Sequence, residues 1–350
     1  PKSVWVEWDP ALNPERADPG AMRDPMDFPI GPPEKHSILR RLKVAALDRQ
    51  AEVLFVTLED PRGRDLPEWS AGAHIDLNSQ NHVRKYSLCG DPNDRKRWQV
   101  AILREPDGRG GSAHFHDTLT ADAEIGVTGP HNHFRLDEVA EHYSLVAGGI
   151  GVTPIIAMAD WLKAAGLSYE LHFAGRSRSG MPFLDRLARD HGARLSVYAG
   201  NEGERMDLAQ ITSRATAARQ VYACGPERLL SELENLSSNW PEHSLHCEHF
   251  GAAQTLLDPK QEHGFEAVLK DSGLTVSVRP DQTLFQALID AGIDIACDCK
   301  EGLCGSCEAV VLDGDIDHRD RVLTQSERAE GARMMTCCSR ARTDRIVLAL

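Results

Sequence analysis

The sequence predicts a multi-domain protein in which an antiparallel β-barrel, an α/β parallel-sheet domain and a smaller α+β domain follow one another. Three observations carry that expectation. Between residues 41 and 104, short and partly alternating apolar runs are separated by turn residues. Between residues 143 and 224, buried strand-like runs alternate with amphipathic stretches. Near the C-terminus, four cysteines follow a strand pair and a helix at a fixed spacing. A chain of 350 residues, 41% hydrophobic and 26% charged, is long enough for two or three units with their own cores.

Residues 1–36 come before this pattern and read as an N-terminal extension. They are rich in Pro, Asp and Glu and hold no sustained period, although Trp5 and Trp8 suit packing against the body or a partner. The barrel is expected over 37–140, with strands at 41–47, 51–58, 74–77, 84–89 and 98–104. The α/β domain is expected over 141–250. Its first strand, 143–147, runs into Gly148-Gly149-Ile150-Gly151 and a helix reaching 165, with later strands at 169–174, 195–199 and 220–224. A polar linker is expected over 251–263. The last domain, 264–350, opens with strands at 265–269 and 275–278 around Asp271-Ser272-Gly273, a hairpin turn, and continues with a helix over 284–291 that Gly292 stops.

The net charge of −14 argues against nucleic acid as a partner, since phosphate binding needs clustered Lys and Arg. No apolar run approaches the roughly 18–20 residues that span a bilayer, and no signal segment is visible, so a cytoplasmic protein without a membrane partner is expected. The nine cysteines show no disulfide framework spacing, which suits a reducing compartment.

Cys299, Cys304 and Cys307 read C-x4-C-x2-C, and a fourth cysteine follows at Cys337 or Cys338. This is the thiolate spacing of a plant-type [2Fe–2S] cluster; zinc sites favour paired C-x2-4-C knuckles, and only one is present. The x4 spacing selects Cys299 over Cys297, whereas spacing alone does not choose between Cys337 and Cys338. Gly302 and Gly305 let the loop turn tightly, so that backbone N–H groups can reach the sulfurs.

Upstream lie groups suited to phosphates and rings. Arg84-Lys85-Tyr86-Ser87 offers a cation, an aromatic face and a hydroxyl on one strand. Gly110-Gly111-Ser112 precedes an expected helix and can cradle a phosphate with backbone N–H groups. Gly149 and Gly151 occupy the strand-to-helix turn where a pyrophosphate sits. Cys224-Gly225-Pro226 closes a later strand, the end at which ligands approach parallel sheets. His246-Cys247-Glu248-His249 is not read as a metal site, and no nucleophile elbow supports acyl transfer.

In this order along the chain, residues 37–350 strongly resemble the phthalate dioxygenase reductase family, which includes the vanillate demethylase reductases. The resemblance implies a flavin-binding barrel, a nicotinamide domain and a C-terminal β-grasp ferredoxin domain. It assigns Arg84, Tyr86 and Ser87 to the flavin, with Lys85 between them a further cofactor-binding candidate, and Ile102, Leu103, Arg104, Gly110, Gly111 and Ser112 to FMN-contacting segments. Thr153 matches another flavin contact, and Phe250 of Glu248-His249-Phe250 would cover the flavin ring. Gly149, Gly151, Arg176 and Ser177 fall to the dinucleotide, and Cys224, Gly225 and Pro226 lie near the nicotinamide. The ending Cys-x-Ser-Arg-Ala makes Cys337 the fourth ligand.

The implied function is a reductase that carries electrons from NADH through FMN to the [2Fe–2S] cluster and on to a separate terminal oxygenase, most simply of Rieske type. Ser87, Cys224 and Glu248 are then expected around hydride transfer from nicotinamide C4 to flavin N5. Three features depart from the family: the long extension, the stretch His131-Asn132-His133 with a His where an Arg is common, and Arg176 and Arg178, which could hold the 2′-phosphate of NADPH. An NADPH-dependent reductase subunit of another monooxygenase, such as an amine monooxygenase in a stable complex, is the alternative. A non-enzymatic redox sensor is a third.

Overall fold

The computed structural model describes residues 38–350 apart from 80–81, 107–109, 138–139, 214–215, 217, 242–243, 251–256, 258–259 and 324. The extension expected at 1–36 and most of the expected linker lie outside the described residues. No helix among the described residues is long and apolar enough to cross a membrane.

Six strands form the first sheet: β1 (Arg40–Gln50), β2 (Val53–Glu59), β3 (His74–Ser79), β4 (His82–Ser87), β5 (Arg97–Leu103) and β6 (Glu124–His131). Their order is β4-β3-β6-β1-β2-β5, with every pair antiparallel. Leu88, just past β4, bridges back to Val100 on β5, which brings the two end strands together and closes the barrel. Leu54, Val56 and Leu58 alternate inward from β2 and meet Ile75, Leu77, Trp98 and Val100 in its core. Helix α1 (Gly111–Thr118) caps this core with Phe115. The sequence reading missed β6, whose Gly126, Gly129 and Pro130 look like turn residues; the strand exists because β1 and β3 pair with both its edges.

The second sheet contains β7 (His142–Gly148), β8 (Ser168–Gly175), β9 (Leu195–Ala199), β10 (Arg219–Cys224) and β11 (Leu245–Glu248). It is wholly parallel in the order β11-β10-β7-β8-β9. Helices α2 (Val152–Ala164), α3 (Leu184–His191), α4 (Leu208–Thr212) and α5 (Glu227–Leu236) run between its strands. Leu145, Val146 and Ala147 of β7 are fully buried because helices cover both faces of such a sheet. β7 has β8 on one side and β10 on the other, so the order reverses there. Ligands bind at such a switch point, beyond the carboxyl ends of the strands.

The third region holds β12 (Phe265–Leu269), β13 (Leu274–Val278), β14 (Glu308–Asp313), β15 (Ile316–Asp317), β16 (Arg333–Met335), β17 (Arg340–Ala341) and β18 (Arg345–Leu348). Its main sheet runs β13-β12-β18-β14-β16; β12 and β18 are parallel and the other pairs antiparallel. Helix α6 (Leu284–Asp290) packs on it through Leu284, Ala287 and Leu288. This mixed sheet wrapped on one helix is the β-grasp arrangement. The strands beyond the cysteine loop escaped sequence reading because several are two to four residues long and carry charges.

Candidate functional site

At the switch point, two glycine turns touch backbone to backbone. A Cβ on Gly151 would lie 2.3 Å from the Cys224 carbonyl oxygen, and one on Gly148 would lie 2.6 Å from Pro226 Cδ. The packing of the two motifs therefore requires glycine at both positions. Gly149 instead has φ +54° and nothing within 4 Å of the Cβ it lacks, so its side of the turn faces open space ahead of α2. Thr153 is buried and donates its hydroxyl to the Ile150 carbonyl at 3.0 Å. Cys224 is fully buried, and that burial raises its thiol well above the ordinary range.

Past β8, Arg176 is exposed and Ser177 Oγ lies 3.2 Å from Ser179 Oγ. Arg178 donates to Glu202 at 2.9 Å and to Glu204 at 3.1 Å. Arg178, one of the two arginines that could meet a 2′-phosphate, is thus held by two carboxylates, whereas the other, Arg176, is exposed.

In the barrel, the Arg84 side chain crosses Gly111, where a Cβ would fall 2.4 Å from Arg84 Nε. The strand motif and the glycine loop are thus brought together. Tyr86 is half-buried and meets Phe115 edge-on at 6.0 Å. Ser112 Oγ accepts the Glu105 N–H at 3.1 Å. Ile102 points into the barrel core, and its carbonyl lies 2.9 Å from His116 Nε2; Leu103 pairs with Val53 at the strand end. Arg104 turns to Asp117 at 2.8 Å. Lys85, on the opposite face of β4 from Arg84 and Tyr86, donates to Asp76 at 3.1 Å. Ser87 shares that face and donates to Glu248 Oε2 at 3.5 Å, linking the barrel to the end of β11. Burial pushes the Glu248 carboxyl up to about 8, against a lowering from the Ser87 hydroxyl. Phe250, two residues on, is 44% exposed.

The cysteine loop turns through Lys300, Gly302 and Gly305, all at positive φ. Cys299 Sγ accepts the N–H groups of Glu301 and Leu303, each at 3.3 Å. Cys304 Sγ accepts the Cys299 N–H at 3.5 Å and lies 3.1 Å from Ser306 Oγ. Cys307 and Cys337 are buried with Leu323 and Met335. Contact among the sulfurs splits their acidities: Cys304 pulls Cys299 down and Cys297 pulls Cys307 down, while Cys304 and Cys337 rise. A cation among them would offset the repulsion between neighbouring thiolates, and backbone N–H groups aimed at sulfur fit an iron–sulfur cluster.

Cys338 Sγ points instead towards the Met335 carbonyl, at 3.7 Å. The structure adds one thiol that the x4 spacing passes over. Cys297 Sγ lies with those of Cys307 and Cys337 in a group whose members are within 4.8 Å of one another.

The loop borders a cleft lined by Ser87, Glu248 and Phe250 together with Cys299, Leu303 and Cys304. Asp298 Oδ2 lies 2.8 Å from His133 Nε2, and Asp298 Oδ1 lies 3.7 Å from Lys85 Nζ. The His133 hydrogen bond, with help from Lys85, holds the Asp298 carboxyl well below the usual carboxylate range. Arg321 reaches Glu227 of α5 at 2.7 Å, and its own N–H donates to the Gly302 carbonyl at 2.8 Å. His246 stacks on Tyr222, and His249 lies 3.0 Å from Glu234.

A model of the 2Fe-2S iron-sulfur cluster binding domain matches residues 268–342. The chain is 40% identical over 301 residues to the phenoxybenzoate dioxygenase subunit beta of Ectopseudomonas oleovorans, which covers 85% of this chain and 93% of that one. It is 34% identical over 324 residues to the phthalate dioxygenase reductase of Burkholderia cepacia, covering 91% and 99%. The chain belongs to the phthalate dioxygenase reductase family. A solved structure of an intact type IV self-sufficient cytochrome P450 monooxygenase also matches, at 55% identity and a TM-score of 0.77. That match takes in 98% of this chain, which spans only 45% of the P450 chain's length.

As a phthalate dioxygenase reductase family member, the protein is an oxidoreductase that carries electrons from NADH through FMN to a [2Fe–2S] cluster, with an oxygenase as acceptor. The redox-sensor alternative falls with that membership. FMN, when bound, supplies the conversion between a hydride's electron pair and single electrons.

Proposed function

We propose that this chain is the electron-supplying part of a haem oxygenase of cytochrome P450 type, joined to it through residues 1–36. The observation that carries the reading is the 55% identity over 98% of the chain to a self-sufficient P450. Residues 1–36 are a tenth of the chain, so a match of that extent includes most of them. The dioxygenase-type relatives cover 85% and 91% at lower identity. Their nearly full-length matches favour the second reading, a separate Rieske-type oxygenase.

Within the chain, Arg84, Tyr86, Gly110, Gly111, Ser112 and Thr153 hold FMN, and Gly149 and Gly151 with α2 receive the dinucleotide pyrophosphate. Ser87, Glu248 and Cys224 border the position of the nicotinamide ring: the first two span the barrel–sheet junction and the third ends β10 beside it. Glu202 and Glu204 repel a 2′-phosphate, which supports NADH over NADPH. Cys299, Cys304, Cys307 and Cys337 hold the cluster. The division into 37–140, 141–250 and 264–350 follows the three sheets.

The test is anaerobic: the holoprotein is mixed with NADH and, in parallel, with the haem part of a self-sufficient P450 or with a Rieske oxygenase. Rapid appearance of the CO-bound ferrous haem band supports the P450 reading. Reduction of the Rieske centre with an idle haem supports the second reading.

A further inference from the structure

We infer that Asp298 is a positioning residue that seats the cluster-binding loop against the flavin barrel, gripped there by His133 and Lys85. The inference goes beyond the electron path itself and rests on the ligand set proposed above.

The loop transmits the position of Asp298 to two ligands. Asp298 immediately precedes Cys299, and its N–H donates to Ser306 Oγ at 2.8 Å. That same hydroxyl lies 3.1 Å from Cys304 Sγ. The Asp298 side chain then leaves the loop and crosses to the barrel. It meets His133, 165 residues away in sequence, at 2.8 Å, and Lys85 at 3.7 Å.

Lys85 is itself fixed to the barrel, because its amine also holds Asp76 of β3 at 3.1 Å. The three side chains are 26–31% exposed, so salt screens them less than a surface pair but still reaches them. A carboxylate hydrogen-bonded through one oxygen and facing an ammonium group with the other is fixed in direction, which suits holding a loop in one place.

A second tie lies across the same loop. Arg321 binds the Gly302 carbonyl with its N–H and Glu227 of the parallel-sheet region with its guanidinium. Asp298 and Gly302 flank Cys299 in sequence, and each is tied to a different neighbour. Electron transfer depends on how far apart and in what orientation the two carriers are held, so the seating of this loop bears on the rate.

The test uses the holoprotein, with flavin bleaching and the reduced-cluster spin signal followed separately after NADH mixing. Asp298→Asn should leave flavin reduction by NADH unchanged and slow cluster reduction by on the order of tenfold. Asp298→Glu should restore most of the rate. His133→Asn should slow the same step, and the double variant should be no slower than Asp298→Asn, because both remove one contact. Added salt should slow cluster reduction in the parent protein and slow it less in Asp298→Asn, where of the loop's two ties only the Arg321–Glu227 pair remains to be screened.

Hydrogen exchange at 298–305 should rise in His133→Asn, a readout independent of turnover. Iron content and cluster spectrum of the parent protein report the ligand set separately. A wild-type cluster-reduction rate in both single variants overturns the inference, as do slowing factors that multiply in the double variant. Should Asp298→Asn lose its cluster, His133→Asn decides alone, since it lies outside the loop.

Discussion

The turn junction at Gly151 and the seam at Asp298 both join separate parts of the chain, and they do so by opposite means. At the junction, two backbones approach so closely that no side chain fits between them, and the contact has no intermediate setting. At the seam, partly exposed charged groups meet at distances from 2.7 to 3.7 Å. Close packing is unforgiving and insensitive to salt, whereas ion pairs are adjustable and screened. The turn junction is therefore fixed, and the seam beside the cysteine loop can be loosened without unfolding either side.

The largest break is expected from Gly151→Ala. Its methyl would meet the Cys224 backbone, which cannot swing aside, so a loss of about 2–4 kcal/mol in stability should accompany failed flavin reduction by NADH. Urea unfolding and NADH mixing check both parts. Gly111→Ala sharpens the contrast, because its obstacle is the flexible Arg84 side chain. The cost should fall to about 1 kcal/mol, with flavin affinity lowered instead, as measured by FMN release on dilution.

Glu248 tests the junction with pH. Its folded carboxyl keeps a proton up to about 8, whereas an unfolded glutamate gives it up near 4.3. The unfolded state thus binds fewer protons in that window, and stability should fall as pH rises from about 4.5 to 8, then level off. Glu248→Gln should flatten the decline seen in denaturant midpoints. The smallest effect is expected at the seam: Arg321→Ala removes an exposed pair with Glu227 and should cost under about 1 kcal/mol. It should slow cluster reduction modestly while leaving melting almost unchanged.

What the sequence made legible was whatever sits in consecutive residues. The strands at 195–199 and 265–269 lie within the observed β9 and β12 bounds, and the glycine and cysteine spacings led to the two ends of the cleft. The seam was illegible because Asp298 and His133 are far apart in sequence and carry no motif; only the fold brings them together. Lys85 is different, since strand alternation alone sets it opposite Arg84 and Tyr86. Cys297 was set aside because ligand spacing ignores a sulfur that merely lies nearby.

The β-grasp sheet has a consequence for biosynthesis. β18, the strand of these seven that the ribosome makes last, lies at its centre, between β12 and β14. The cysteine loop therefore emerges from the ribosome before the sheet behind it can close. During that interval its thiols are unsheltered, and delivery of iron and sulfide competes with oxidation until the final strand slots in.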